Sequence, residues 1–195
     1  MGKAWGAFGR RLTTGGAFAL ALALAACAGS PLTIYDLTPA SPPAARPPSV
    51  QIRIGEPVAT LDLDSERILV RNARTLALLP GARWSESLSA LFRARLTASF
   101  QNAGLARSLA GGGATADYEL DLDIRAFELD AQTSEAHVEV AARIVALNSG
   151  RVADVQIFSA REPVAGGDPA AVTAALDRAS STIMAKIVQF VAKRL

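Results

Sequence analysis

One cysteine and one histidine in 195 residues leave this chain without the material for a disulfide scaffold, a thiolate metal site or most nucleophilic triads. Aromatic residues are only 6% of the sequence, so aliphatic packing must supply the stability. No apolar run reaches the roughly 20 residues that a membrane-spanning helix needs. An excess of charge is missing too. The formal charge of +2 includes Lys3, Arg10 and Arg11, and the first 26 residues hold no acidic residue, so the remainder carries −1. That balance has no nucleic-acid footprint, and no nucleic-acid partner is expected.

What is present begins at the N-terminus. The three basic residues precede an apolar run from about Ala17 to Ala26, and Leu24-Ala25-Ala26-Cys27 closes it. A positive region, a short apolar region and a small-residue exit are the parts of a secretory signal. The tetrapeptide resembles the bacterial lipobox, which implies cleavage before Cys27, a diacylglyceryl group on its thiol and an acyl group on the new amine. Two or three chains, at about 0.8 kcal/mol per buried methylene, make a firm anchor where one does not. No other cofactor is expected. Ala28, standing where Asp acts as an inner-membrane retention signal, implies residence at the outer membrane, on its periplasmic side.

Past the anchor, Ile34-Tyr35-Asp36-Leu37 is a short apolar piece fit for an edge strand, and Pro39 to Pro48 holds five prolines in ten residues. Such a stretch reads as an extended spacer. The expected organisation is therefore a signal peptide at 1–26, a lipidated cysteine with a Pro-rich tether at 27–48, and a periplasmic domain at 49–195.

Within that domain Val50, Ile52 and Ile54 alternate with polar residues, and Arg67 to Arg71 and Thr75 to Leu79 are further short strand candidates. Pro80-Gly81 then punctuates the chain. Trp84, Leu88, Leu91, Phe92, Leu96 and Phe100 recur at helical spacing up to Gly104. Tyr118, Leu120, Leu122, Ile124 and Ala126 form one strand face and Asp117, Glu119, Asp121, Asp123 and Arg125 the other. Val138 to Ala146 alternates in the same way, and Val152 to Arg161 is a third strand. Asp168-Pro169 supplies a helix cap and a first-turn proline, followed by an apolar stripe from Val172 to Val191. These elements predict an α/β chain of the α+β type. It is a single domain whose mixed sheet contains a three-stranded antiparallel meander, with two amphipathic helices packed on one face.

Charge fixes the expected register of the first hairpin. Leu122 opposite Ala142 sets Asp121 against Arg143 and Arg125 against Glu139, whereas shifted registers place like charges together or lose a pair. For the second hairpin, pairing Asn148 with Arg151 brings Ile144 against Val155 and Ala142 against Ile157, keeping all three strands apolar on one side.

Chemistry is hard to find. His137 lies on a polar strand face with no motif around it, and reads as a solvated or interface residue. Asp117, Glu119, Asp121 and Glu128 fit positions 1, 3, 5 and 12 of a calcium loop, yet Leu122 stands where that loop needs glycine. No catalytic residue and no metal site is expected. The acidic row Asp117, Glu119, Asp121 and Asp123 is instead a candidate partner-binding surface or oligomer lining, and Trp84 a structural anchor.

Several local features together resemble a family: the lipobox, Tyr35-Asp36-Leu37 before the prolines, Arg83-Trp84 opening a helix, Asp117-Tyr118 opening a long strand, and the C-terminal amphipathic helix. They look like the ABC-type transport auxiliary lipoproteins, the PqiC-like partners of Mce-type transporters. The resemblance implies a non-enzymatic component that binds an Mce-domain protein and supports movement of phospholipid or other hydrophobic molecules between the membranes. An outer-membrane assembly or secretion scaffold without lipid cargo is the alternative.

Overall fold

The long strand that opens at Tyr118 is the axis of the sheet. A computed structural model describes Gly2 and residues 32–111 and 113–195; the signal peptide and the lipidated Cys27 expected from the sequence lie outside the described residues. The elements in chain order are β1 (Thr33–Tyr35), β2 (Ile52–Ile54), β3 (Val58–Ala59), β4 (Arg67–Asn72), β5 (Thr75–Trp84), α1 (Leu88–Asn102), a 3-10 turn, β6 (Tyr118–Asp130), β7 (Glu135–Ala146), β8 (Arg151–Pro163) and α2 (Pro169–Arg194). Along one edge β6 pairs antiparallel with β7. Its other edge is tiled by three short strands, all parallel to it: β2 beside 118–120, β3 beside 123–124 and β4 beside 128–130. The sheet order is β1-β5-β4-β6-β7-β8, with β2 and β3 beside β6.

Both helices lie on the apolar side of this mixed sheet, as the binary pattern requires. Leu91, Phe92, Leu96 and Phe100 of α1 and Leu176, Ile183, Ile187 and Val191 of α2 are fully buried together with Leu120, Leu122, Val138 and Val140 of the sheet. The long helix starts where the sequence places its cap: the Asp168 carboxylate accepts a hydrogen bond from the Ala171 amide at 2.8 Å, and Lys193 and Arg194 occupy its last turn.

The first hairpin has the register set by its charges, with Leu122 opposite Ala142 and Asp121 opposite Arg143. A bulge at Arg125 then advances the pairing by one residue, so Ala126 and not Arg125 stands opposite Glu139, Phe127 enters the core and Ala126 turns to the other face, contrary to the expected alternation. The second hairpin differs from expectation. Ala146 pairs with Arg151, and an irregularity between Ile144 and Val145 leaves Ile144 opposite Asp154, Ala142 opposite Gln156 and Ala141 opposite Ile157. A one-residue slip inverts every side chain. Val155 and Ile157 therefore point away from the helices and are 56% and 53% exposed.

Three other expectations are corrected. Trp84 does not open a helix; it ends β5, paired with Tyr35, and α1 begins at Leu88. Pro80-Gly81 does not break the chain but forms a bulge inside β5, where the register passes from Leu69–Leu78 to Arg67–Arg83 and Gly81 adopts φ 74°. The Pro-rich stretch is no free spacer either, and residues 32–48 belong to the folded unit. Leu37 and Ala40 are buried, the Ala40 amide donates to Ser99 Oγ at 2.8 Å, Asn102 Nδ2 donates to the Ala40 carbonyl at 2.9 Å, and the Ala45 amide donates to the Ala103 carbonyl at 3.0 Å. Extended, proline-punctuated backbone carries polar groups that no strand satisfies, and α1 supplies their partners.

Candidate interaction surface

With both helices on one side, the other face of the sheet is left open among the described residues. The acidic row lies on it, but three of its four carboxylates meet a donor or a cation. Asp117 accepts from the Gln51 amide at 2.8 Å. Glu119 pairs with Arg53 at 3.5 Å. Asp121 stands opposite Arg143, and Asp123 pairs with Arg125 at 3.4 Å, whose guanidinium also lies 4.0 Å from Glu139. The row is thus half of a mixed-charge stripe and not an acidic patch. Gly55 marks how tightly β6 is approached at this point: its amide donates to the Leu120 carbonyl at 3.1 Å, and a Cβ there would stand 3.2 Å from Glu119 Oε1.

The stripe continues along the far half of β6. Glu128, almost wholly buried, forms a two-pronged ion pair with Arg71, with Nη2 donating to Oε2 at 2.9 Å. The contact raises the Arg71 pKa further. Arg161 sits 3.5 Å from both Asp130 and Glu135. His137 lies between these groups with Nε2 3.2 Å from Ser159 Oγ. Burial, and then the nearby Arg161 charge, lower its pKa below the ordinary 6.5. A serine beside a histidine is two parts of a nucleophilic site. The hydrogen bonds here join the pair to each other across two neighbouring strands, and no carboxylate is bonded to the ring, so the orienting third group is absent among the described residues.

Apolar flanks border the stripe on both sides, and alternation alone did not show them. Val152, Val155 and Ile157 of β8 are each more than half exposed, and β8 is an outermost strand, with one backbone edge unpaired among the described residues. Leu76 and Leu78 of β5 are 40% and 47% exposed at the other side. The bulge near Ala153 that turns Val155 and Ile157 outward has no glycine or proline to announce it. Around the β8 edge, a groove of about 630 Å³ runs between this strand and α2. Lys186, Lys193 and Arg194 line it with Gln156 and Gln189, and Phe158 and Phe190 meet edge-to-face beneath it at 5.8 Å.

Trp84 is on the helix side, 1% exposed and edge-on to Phe127 with ring centroids 5.7 Å apart.

The open sheet face thus carries ion pairs in its middle and apolar side chains at both rims. An uncharacterized protein of Bradyrhizobium diazoefficiens is 34% identical over 160 residues, which cover 79% of this chain but 43% of that protein; the chain thus spans less than half the length of that relative. The crystal structure of a Xanthomonas campestris protein of the DUF330 family superposes with a TM-score of 0.75 at 29% identity, covering 83% of this chain and 96% of that one. A further crystal structure, of an uncharacterized protein, shares the fold at TM-score 0.66 and 11% identity, over 83% of this chain and 99% of the other. The family described as ABC-type transport auxiliary lipoprotein component matches residues 33–188, from the first strand nearly to the end of the last helix, and the chain belongs to that family.

Proposed function

We propose that the protein is held by acyl groups on Cys27 at the periplasmic side of the outer membrane and serves as the auxiliary component of an Mce-type ABC transporter. In this reading it binds an Mce-domain protein and turns over no substrate, supporting transfer of phospholipid or another hydrophobic cargo between the membranes. The observation that carries the proposal is the family match across residues 33–188, joined to a sheet face that offers binding chemistry without a catalytic constellation. The lipobox at Leu24-Ala25-Ala26-Cys27 supports the anchor.

The contact is assigned to the β8 side of the open face, where Val152, Val155 and Ile157 add desolvatable apolar area to the neighbouring charges, including Asp121, Asp123, Arg125 and Arg143. Apolar groups of this kind supply affinity, while the paired charges fix register and partner choice. Co-purification of the native lipoprotein, with identification of bound proteins and lipids, tests the reading. Recovery of an Mce-domain protein supports it, and the double variant Val155→Asp, Ile157→Asp should abolish that recovery. Stable recovery of assembly or secretion proteins in place of any transporter component refutes it and favours a scaffold role.

A further inference from the structure

The apolar flank on the β1, β5 and β4 side differs from the β8 flank in one respect: the chain ties it to the anchor. Leu32 and Ile34 are 59% and 54% exposed, and Ile34 stands beside Arg83. The bulge in β5 leaves Arg83 on the same face as Leu78, because their partners Arg67 and Leu69 are two residues apart on β4. Since β1 is parallel to β5, its N-terminal end is the one nearer Leu78. Leu76, Leu78 and Leu69, with Asp62, Arg67 and Ala77, line a shallow hollow of about 210 Å³. Leu61, next to Asp62 in the chain, is 93% exposed, and Arg74 is exposed at the tip of the β4–β5 hairpin.

The length of chain before Leu32 decides what covers this flank. With β1 paired to β5 and Ala40 and Ala45 tied to α1, the spacer expected from the prolines is gone. From Cys27 to Leu32 there are only five Cα-to-Cα steps, which span at most about 18 Å when fully extended. A lipidated Cys27 therefore keeps β1 within that distance of the bilayer. Arg83 is held by Glu66 at 2.6 Å, but exposed leucines and isoleucine beside Arg67 and Arg74 are also the composition of a surface resting at the headgroup boundary, where apolar side chains enter the acyl region and cations meet phosphates.

We infer that the flank formed by Leu32, Ile34, Leu61, Leu76 and Leu78 is a membrane-contact face that seats the domain on the leaflet holding its anchor and leaves the β8 flank free for the partner protein. This rests on Cys27 being the lipid anchor. A bilayer is favoured over a second copy because the short connection imposes proximity to lipid on this flank and on no surface at β8.

The test uses the full mature lipoprotein in vesicles of phosphatidylethanolamine and phosphatidylglycerol. Acylation consumes the thiol of the single native cysteine, so Ile34→Cys, Leu78→Cys and Val155→Cys each give one site for a nitroxide label. All three positions are exposed, and circular dichroism confirms that each variant is folded. Labels at 34 and 78 should be several-fold more accessible to oxygen than to a water-soluble nickel chelate, with the ratio reversed at 155. If 34 and 78 are as aqueous as 155 while mass spectrometry finds acyl groups on Cys27, the contact face is wrong and the anchor stands. An unacylated Cys27 overturns both. Dipolar broadening between labels at 78, without oxygen preference, identifies a second copy as the occupant and also overturns the inference.

Discussion

At the residue scale, Trp84 and His137 show how little of a side chain's role is set by its type. Trp84 looks like a helix opener because hydrophobic spacing runs through it, yet strand pairing with Tyr35 claims it, and its ring is spent on Phe127. Truncation to alanine leaves a large cavity beneath the sheet, and Trp84→Ala should lower stability by about 3–5 kcal/mol in urea unfolding. His137 gives a pH signature. Its folded pKa lies below the unfolded value of 6.5, so the unfolded chain binds the extra proton and stability falls as pH drops through 6.5 toward the folded pKa. Urea midpoints taken across this window should fall for the native chain, and His137→Asn should flatten that decline. An unchanged slope in the variant assigns the acid sensitivity elsewhere. A separate loss begins lower, since the Arg95 guanidinium holds the Asp36 carboxyl below its usual 3.8; that contribution is present above 3.8 and disappears as the pH falls through the lowered value.

At the scale of elements, the strap across α1 is the feature with the clearest consequence. Ser99 Oγ is fully buried, donates to the Arg95 carbonyl at 2.7 Å and accepts from the Ala40 amide. Ser99→Ala orphans that amide, at a cost of about 1–3 kcal/mol, and should expose residues 38–48 to limited proteolysis while α1 stays intact; a cleavage pattern like the native one would show that the strap is held elsewhere. The strap was also the least legible part of the sequence. Five prolines report backbone shape but carry no information about which surface the backbone lies on, so the sequence predicts a spacer where the structure has a strap. Where period and charge act together, legibility was high. Asp121 and Arg143 locked the first hairpin, and Asp168-Pro169 located the start of α2 to the residue. The second hairpin offered no such charge pair, and the shift of Val155 and Ile157 to the open face depends on a bulge at small and apolar residues that any register accepts equally well. The apolar rim along β8 is invisible in the sequence for the same reason.

At the scale of the whole molecule, the arrangement separates tasks between the ends of one sheet. The β1 side carries the connection to Cys27, the helices cover one face, and the β8 side presents exposed valines, isoleucine and a strand edge unpaired among the described residues. Cys27→Ser should leave the precursor without acyl mass and release the protein from membranes, with labelled palmitate failing to enter it; continued labelling would remove Cys27 as the anchor. The central claim is that the β8 flank holds a transport partner. A photo-crosslinking amino acid placed at Val155 in the lipidated protein, activated in intact cells, tests this most directly. The account predicts an adduct containing an Mce-domain protein; adducts made only of a second copy of this chain, or of outer-membrane assembly proteins, would contradict it.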